Sequence, residues 1–182
     1  MKVLQTTLPG VLLIEPRVFE DERGFFFESF NARTFGEATG VTLGFVQDNH
    51  SHSRRDVLRG IHYQIEQAQG KLVRAVSGEV FDVAVDLRRG SPTFGRWEGF
   101  VLSAQNRRML WVPPGFGHGF LVLSESADFL YKTTDYWAPQ HERCLLWNDP
   151  QVGVDWPLQG RAPVLSAKDA QGLPLSRAEC FA

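Results

Sequence analysis

The stretch "KLVRAVSGEVFDVAVDL", residues 71 to 87, constrains the architecture more than any other. Two runs rich in β-branched residues flank Ser77-Gly78, and a Ser-Gly pair between such runs signals a tight hairpin turn. The pattern recurs in "WEGFVLS", "RMLWVP", "GFLVLS" and "ADFLYKTTDYW", with Pro113-Pro114-Gly115 and Ser124-Glu125-Ser126 as connectors. Helical signals are sparse. Asn31 and Gly40 bracket one short helix in "NARTFGEATG", and Ser166 starts a second in "SAKDAQG". Many strands with small connectors predict a mainly β fold: an antiparallel double-sheet jelly roll or barrel, with a few short helices. The whole of 1–182 reads as one domain, with about residues 165 to 182 packing against the barrel or extending from it.

Composition then excludes several classes. A formal net charge of −2 gives no electrostatic case for a nucleic-acid partner. The N-terminal apolar run is short and broken by Pro9, so neither a signal peptide nor a membrane span is expected. The two cysteines, Cys144 and Cys180, have no CxxC or metal spacing. They read as reduced thiols, which favours the cytoplasm.

Several polar residues do not fit a dry core. In "LRGIHYQ", alternation puts Gly60, His62 and Gln64 on one face and Ile61 and Tyr63 on the other. Lys71 points with Val73 and Ala75, while Asp82 and Asp86 point with Ala84, away from Phe81, Val83 and Val85. Acidic groups inside such a strand are costly unless paired. "PPGFGHGF" brings His118 out of a glycine-rich bend, and Tyr131 becomes a usable acid if a cation lowers its pKa. Each has a bland reading. Lys71 is then a solvated strand end, Tyr131 a core aromatic, His118 a turn residue, and Asp169 the partner of Ser166 in a capping box. "FEDERGFFFESF" is either a loop that clamps a base or an edge strand with its own apolar cluster. "FVQDNHSHS" is either a dense polar run with amides at Gln47 and Asn49 that signals an anion or a surface loop, and His50 and His52 are read as surface-loop residues.

"PPGFGH" resembles the second motif of the cupin jelly rolls, with His118 as its histidine. The first motif fails, because Gln64 stands where a second histidine belongs and Lys71 occupies the region of the usual glutamate. No metal is therefore expected, since too few ligands remain and a cation takes their place.

"FEDERGFFFESF", "VQDNHS", "VLRGIHYQ", "QGKLVR", "DVAVDLRRGSPTFG", "PPGFGHGF", "YKTTDYWAP", "WNDP" and "LSAKD", in that order over about residues 15 to 170, resemble the dTDP-4-dehydrorhamnose 3,5-epimerase family. The resemblance implies a homodimeric, cofactor-free and metal-free jelly roll acting on a dTDP-ketosugar in dTDP-L-rhamnose synthesis. It implies His62 as base, Asp169 as its orienting carboxylate, Lys71 near the enolate, Tyr131 as acid and Asp82 supporting the lysine. It also implies substrate contacts from Arg23, Phe26, Glu28, Gln47, Asp48, Asn49, Arg59, Lys71, His118, Trp137, Glu142 and Lys168, some across a dimer interface. Strict alternation sets Arg59 and His62 on opposite faces, so a bulge or twist is expected at Gly60, or Arg59 reaches in from the strand entrance. Three positions depart from the family pattern: Asp56 for glycine, Gly117 for alanine, and Trp137 for tyrosine, a larger ring that can favour partial reactions. The alternatives are a single-carbon epimerase or ketoisomerase, a non-catalytic sugar-binding jelly roll, and a metal-dependent cupin.

Overall fold

In the computed structural model, which describes residues 1–182, thirteen strands and two short helices follow one another along the chain. They are β1 (Lys2–Gln5), β2 (Leu12–Glu15), β3 (Phe19–Asp21), β4 (Gly24–Phe26), α1 (Ala32–Thr39), β5 (Gln47–Arg54), β6 (Leu58–Gln64) and β7 (Lys71–Ser77). After these come β8 (Glu79–Asp86), β9 (Trp97–Ser103), β10 (Met109–Val112), β11 (Phe116–Val122), β12 (Ser126–Thr133), β13 (Glu142–Cys144) and α2 (Ala167–Ala170).

Two antiparallel sheets carry the structure. One has the order β1-β2-β10-β7-β12-β5 and the other β13-β6-β11-β8-β9, with β3 and β4 as a separate hairpin. The expected Ser77-Gly78 turn joins β7 to β8, with Gly78 at φ 69°. A Cβ there would sit 2.0 Å from the Ser126 carbonyl oxygen, so only glycine fits. α1 begins where Asn31 accepts from the Thr34 amide and ends at Gly40 in the left-handed conformation.

Alternation sorts the apolar residues into three layers. Between the sheets lie Val73, Ala75, Ala84, Leu110, Phe120 and Phe129. Burying each of the larger side chains stabilises the fold by about 1.5–3 kcal/mol. The outer face of the five-stranded sheet presents Leu58, Ile61, Tyr63, Val83 and Val85, and Leu145, Trp156, Leu175 and Phe181 from the chain beyond β13 cover it. Phe35 of α1 covers Leu12, Ile14, Leu72, Met109 and Trp111 on the other sheet. No helix is long and apolar enough to cross a membrane.

Two local readings need correction. "QDNHSHSR" is strand β5 rather than a surface loop, and exposure alternates along it because β12 pairs with it residue by residue. His50 and His52 face outward there, against Asp128 at 3.0 and 3.2 Å. His118 does not sit in a bend. It lies within β11, where the glycines at 117 and 119 allow close approach: a Cβ at either would come within 2.6–2.7 Å of Ile61 or of the Arg59 carbonyl.

The bulge expected in β6 is present. His62 pairs with His118 but Arg59 pairs with Phe120, so β6 carries one residue more than β11 across that step. Gly60 sits there at φ 116°, with its Cα facing the Gly119 backbone so closely that a Cβ would come within 2.6 Å. The extra residue cancels the alternation and turns Arg59 towards the same face as His62.

Candidate active site

The pocket that holds most of the polar residues singled out above is lined by Gln47, Asn49, His62, Gln64, Gln69, Lys71, Tyr131, Trp137 and Glu142, with Tyr63 at its edge. Most come from β5, β7 and β12 of one sheet and β6 and β13 of the other, while Gln69 and Trp137 lie on the connectors before β7 and after β12. His62 and Tyr131 therefore project from opposing sheets into one cavity.

His62 is held from behind. Its Nε2 lies 2.6 Å from Asp169 Oδ1, which leaves Nδ1 as the ring nitrogen free to take a proton. The short contact is off the axis of the ring N–H and Nε2 is sealed from solvent, so the two groups meet closely without a linear hydrogen bond. Asp169 also caps α2. Its amide donates to Ser166 Oγ at 3.1 Å, Ser166 Oγ donates to Oδ2 at 2.6 Å, and the Gly60 amide donates to Oδ1 at 3.2 Å. Burial pushes the Asp169 pKa up, but the His62, Ser166 and Gly60 contacts outweigh it and hold the group at about 2. The cap and the imidazole contact are one arrangement.

Lys71 spans the gap between the sheets. Its ammonium donates to the His62 carbonyl at 3.4 Å. Burial brings its pKa down to about 8, although Glu142 and Asp82 pull the other way. Tyr131 corrects an expectation. Burial and Glu142 raise its pKa, and Arg59 offsets only part of this, so no cation brings it down. A phenol that keeps its proton still suits a group that delivers one to carbon. Arg59 reaches across to β5, donating from Nε to Ser53 Oγ at 3.0 Å.

The rim is tied together by amides. Gln64 donates to the Gln67 and Tyr136 carbonyls at 2.8 and 3.2 Å and accepts from the Ala138 amide at 2.9 Å. Gln47 accepts from the Trp137 amide at 3.0 Å and donates to Asn49 Oδ1 at 2.9 Å. Trp137 Nε1 donates to Glu142 Oε2 at 3.4 Å, and Lys168 pairs with the other oxygen of that carboxylate. Burial pushes Glu142 up, but Lys168 and His62 more than compensate and keep it ionised.

Other residues singled out in the sequence fall elsewhere. His118 and Asp82 form a buried pair, with His118 Nε2 3.0 Å from both carboxylate oxygens and neither group among the lining residues. Asp82 bears on the pocket by helping to hold the Lys71 ammonium charged. Asp48, between Gln47 and Asn49, faces the outer side of β5 because successive side chains alternate, and there it accepts from Lys132 at 2.8 Å. Arg23 pairs with Asp21 on the β3–β4 hairpin, Glu28 accepts from Asn31, and Phe26 is 68% exposed, all outside this chain's own pocket. Asp86 is paired with Arg88, Ser91 and Thr93 and belongs to the framework. The sequence reading missed Cys144, which β13 places opposite His62 across the sheet, and the tethering role of Gln64. The period-2 pattern signalled Gln64, but the pairing of a three-residue edge strand left no signal for Cys144.

Comparison with known proteins identifies the family. The profile of dTDP-4-dehydrorhamnose 3,5-epimerase matches residues 5–177. The dTDP-4-dehydrorhamnose 3,5-epimerase of Pseudomonas aeruginosa is 67% identical over 181 residues, spanning 100% of this chain and 99% of that one. The crystal structure of the dTDP-6-deoxy-D-glucose-3,5-epimerase of Legionella pneumophila, in complex with dTDP-4-keto-L-rhamnose, has a TM-score of 0.95 and 52% identity over 98% of this chain and 94% of that one. A 3'-monoepimerase of Streptomyces bikiniensis in complex with dTDP-quinovose gives a TM-score of 0.89 at 36% identity over 97% of this chain and 88% of that one. This chain is an epimerase with a cupin-type jelly roll, and it belongs to the dTDP-4-dehydrorhamnose 3,5-epimerase family.

Proposed function

We propose that this enzyme inverts C3 and C5 of dTDP-4-dehydro-6-deoxy-D-glucose, giving dTDP-4-dehydro-L-rhamnose in dTDP-L-rhamnose synthesis. The observation that carries this reading is that His62 and Tyr131 face one cavity from opposing sheets, with Lys71 beside His62. A C4 ketone acidifies the hydrogens at C3 and C5, because loss of either leaves an enolate. His62 removes the proton through Nδ1, and Asp169 stabilises the charge that the ring acquires. The Lys71 ammonium faces the developing oxyanion, where a desolvated cation acts strongly. Tyr131 delivers a proton to the opposite face of the planar carbon, which inverts it. The two steps repeat at the second carbon.

Binding follows the same logic. Arg59 offers a guanidinium fork to the diphosphate. Gln47 and Asn49 present amides, and Glu142, Lys168 and Trp137 close one wall. The β3–β4 hairpin exposes Phe19, Phe25 and Phe26 at 51%, 56% and 68%, a patch that supports a homodimer in which Arg23, Phe26 and Glu28 reach the partner's pocket. Both cysteines are free, which suits the cytoplasm.

The test is turnover of the ketosugar nucleotide in deuterated water. Deuterium at both C3 and C5 of the product is the expected result. Label at one carbon supports a single-carbon epimerase instead, and no exchange supports a sugar-binding module.

A further inference from the structure

We propose that His62, Cys144 and Asp169 form an inhibitory site for a soft divalent cation, Zn²⁺, built into the back of the catalytic dyad. That the ion inhibits rests on the proposed function, but that it binds does not.

β13 pairs with β6 so that Cys144 stands directly opposite His62, on the same face of the sheet. One ligand atom from each of His62, Cys144 and Asp169 can be chosen so that all three lie within 4.8 Å of one another. A tetrahedral zinc with bonds of about 2.0–2.3 Å wants its ligand atoms roughly 3.3–3.6 Å apart. The His62 Nε2 to Asp169 Oδ1 distance of 2.6 Å must therefore open by roughly 0.7 Å to admit the metal. A second observation points the same way. Nε2 is buried, yet its bond axis misses the carboxylate, so the nitrogen has no partner in line. Thiolate, imidazole and carboxylate together suit Zn²⁺ and disfavour Mg²⁺, which prefers oxygen ligands and keeps its waters.

Binding balances simply. The Cys144 thiol releases its proton to solvent and its sulfur bonds the ion. The His62 ring proton moves from Nε2 to Nδ1, the freed Nε2 lone pair bonds the ion, and Asp169 enters as the anion it already is. Burial and Asp169 push the free thiol up to about 12, so without metal it is inert and does not compete for the dyad. The charged neighbours are Glu142, which favours the cation, and Lys168, which opposes it and is already paired with Glu142. A metal on Nε2 leaves the remaining ring proton on Nδ1, and His62 can no longer act as base. Access exists from both sides, because His62 lines the substrate pocket and Cys144 lines a separate hollow with Lys168, Leu173 and Glu179.

The experiment titrates the purified full-length protein, stripped with chelator, with Co²⁺ as a spectroscopic probe and with ZnCl₂ or MgCl₂ in turnover assays. Expected are a thiolate-to-cobalt charge-transfer absorption in the wild type, lost in both Cys144→Ala and Cys144→Ser, and zinc inhibition reversed by chelator and not reproduced by magnesium. Cys144→Ala keeps basal turnover and needs about tenfold more zinc, or above, for half-inhibition, since losing even a supporting partner typically weakens a metal site by that factor. Equal zinc sensitivity in wild type and Cys144→Ala overturns the proposal. So does a thiolate band that survives in Cys144→Ala, which places the sulfur ligand at Cys180. Cobalt binding with no thiolate band overturns it too, assigning the ion to His50, His52 and Asp128 on the outer face. The cobalt readout needs no substrate, so a chain that binds cobalt as expected but does not epimerise refutes the function and leaves the metal site standing.

Discussion

Two histidine–aspartate pairs stand side by side on the β6–β11 ladder, where His62 and His118 are register partners. The His62 side chain is 26% exposed and lines the pocket, with Asp169 behind it. The His118 side chain is 8% exposed, is matched to an Asp82 that is 0% exposed, and stacks against Phe129 in the core. The chemistry of the two pairs is the same and the surroundings are not. One pair can exchange a proton with a ligand, while the other keeps a polar side chain satisfied inside an apolar strand and sets a charge behind Lys71. On the proposed function, exposure on one side of the ring, rather than the pairing itself, separates a base from a scaffold.

The largest effect expected from this contrast is on turnover. His62→Asn lowers kcat by about 10²–10⁴ or more, the usual share of a general base, with nucleotide affinity held within a few fold. Steady-state kinetics with isothermal titration of dTDP checks both halves. His118→Asn leaves a far larger fraction of kcat. If the two substitutions cost turnover equally and leave stability alike, the distinction is void.

Stability is expected to move the other way. Asp82→Ala leaves a buried imidazole without its partner and costs about 1–3 kcal/mol, read from the denaturant midpoint at constant slope. Asp169→Ala leaves an imidazole whose other edge opens on the pocket, so its loss of stability is smaller and its loss of kcat larger. The reverse order would contradict the assignment of roles.

The smallest effect is a pH limb. Burial lowers the Lys71 pKa from 10.5 to about 8, so its ammonium is lost as pH rises past about 8. If the charge is needed at the oxyanion, kcat/KM falls above that pH and is retained below it. Asp82→Asn removes one of the two carboxylates that hold the ammonium charged, and this shifts the limb to lower pH. A profile flat to about pH 10 in both proteins would remove Lys71 from the chemistry.

Much of this was legible in the sequence, for reasons of period. Strands β7 and β8 and their turn follow from alternation and one glycine, and α1 follows from its caps. His62 and Lys71 were recognisable because each breaks an apolar alternation that then points it inward, whereas Tyr131 stood out only by its hydroxyl and by the family resemblance. The conflict between Arg59 and His62 in strict alternation even located the bulge, which Gly60 alone can accommodate. Other features were not legible. β5 reads as a loop because its polar residues face a pocket and an outer surface, and neither leaves an apolar trace. His118 looks like a turn residue because its glycines serve close strand contact rather than a bend. The Tyr131 pKa runs against expectation, because burial outweighs one arginine. Asp56 holds φ 63°, and alternation carries no record of a left-handed residue.

The central claim is that His62 and Tyr131 serve opposite faces of one sugar ring. Tyr131→Phe in deuterated water tests it most directly, by comparing label entering recovered substrate with net inversion. His62 is expected still to remove and return protons from its own face, so deuterium enters the substrate with retained configuration while inversion is lost. Loss of exchange and inversion in equal measure, or inversion at the wild-type rate, would contradict it.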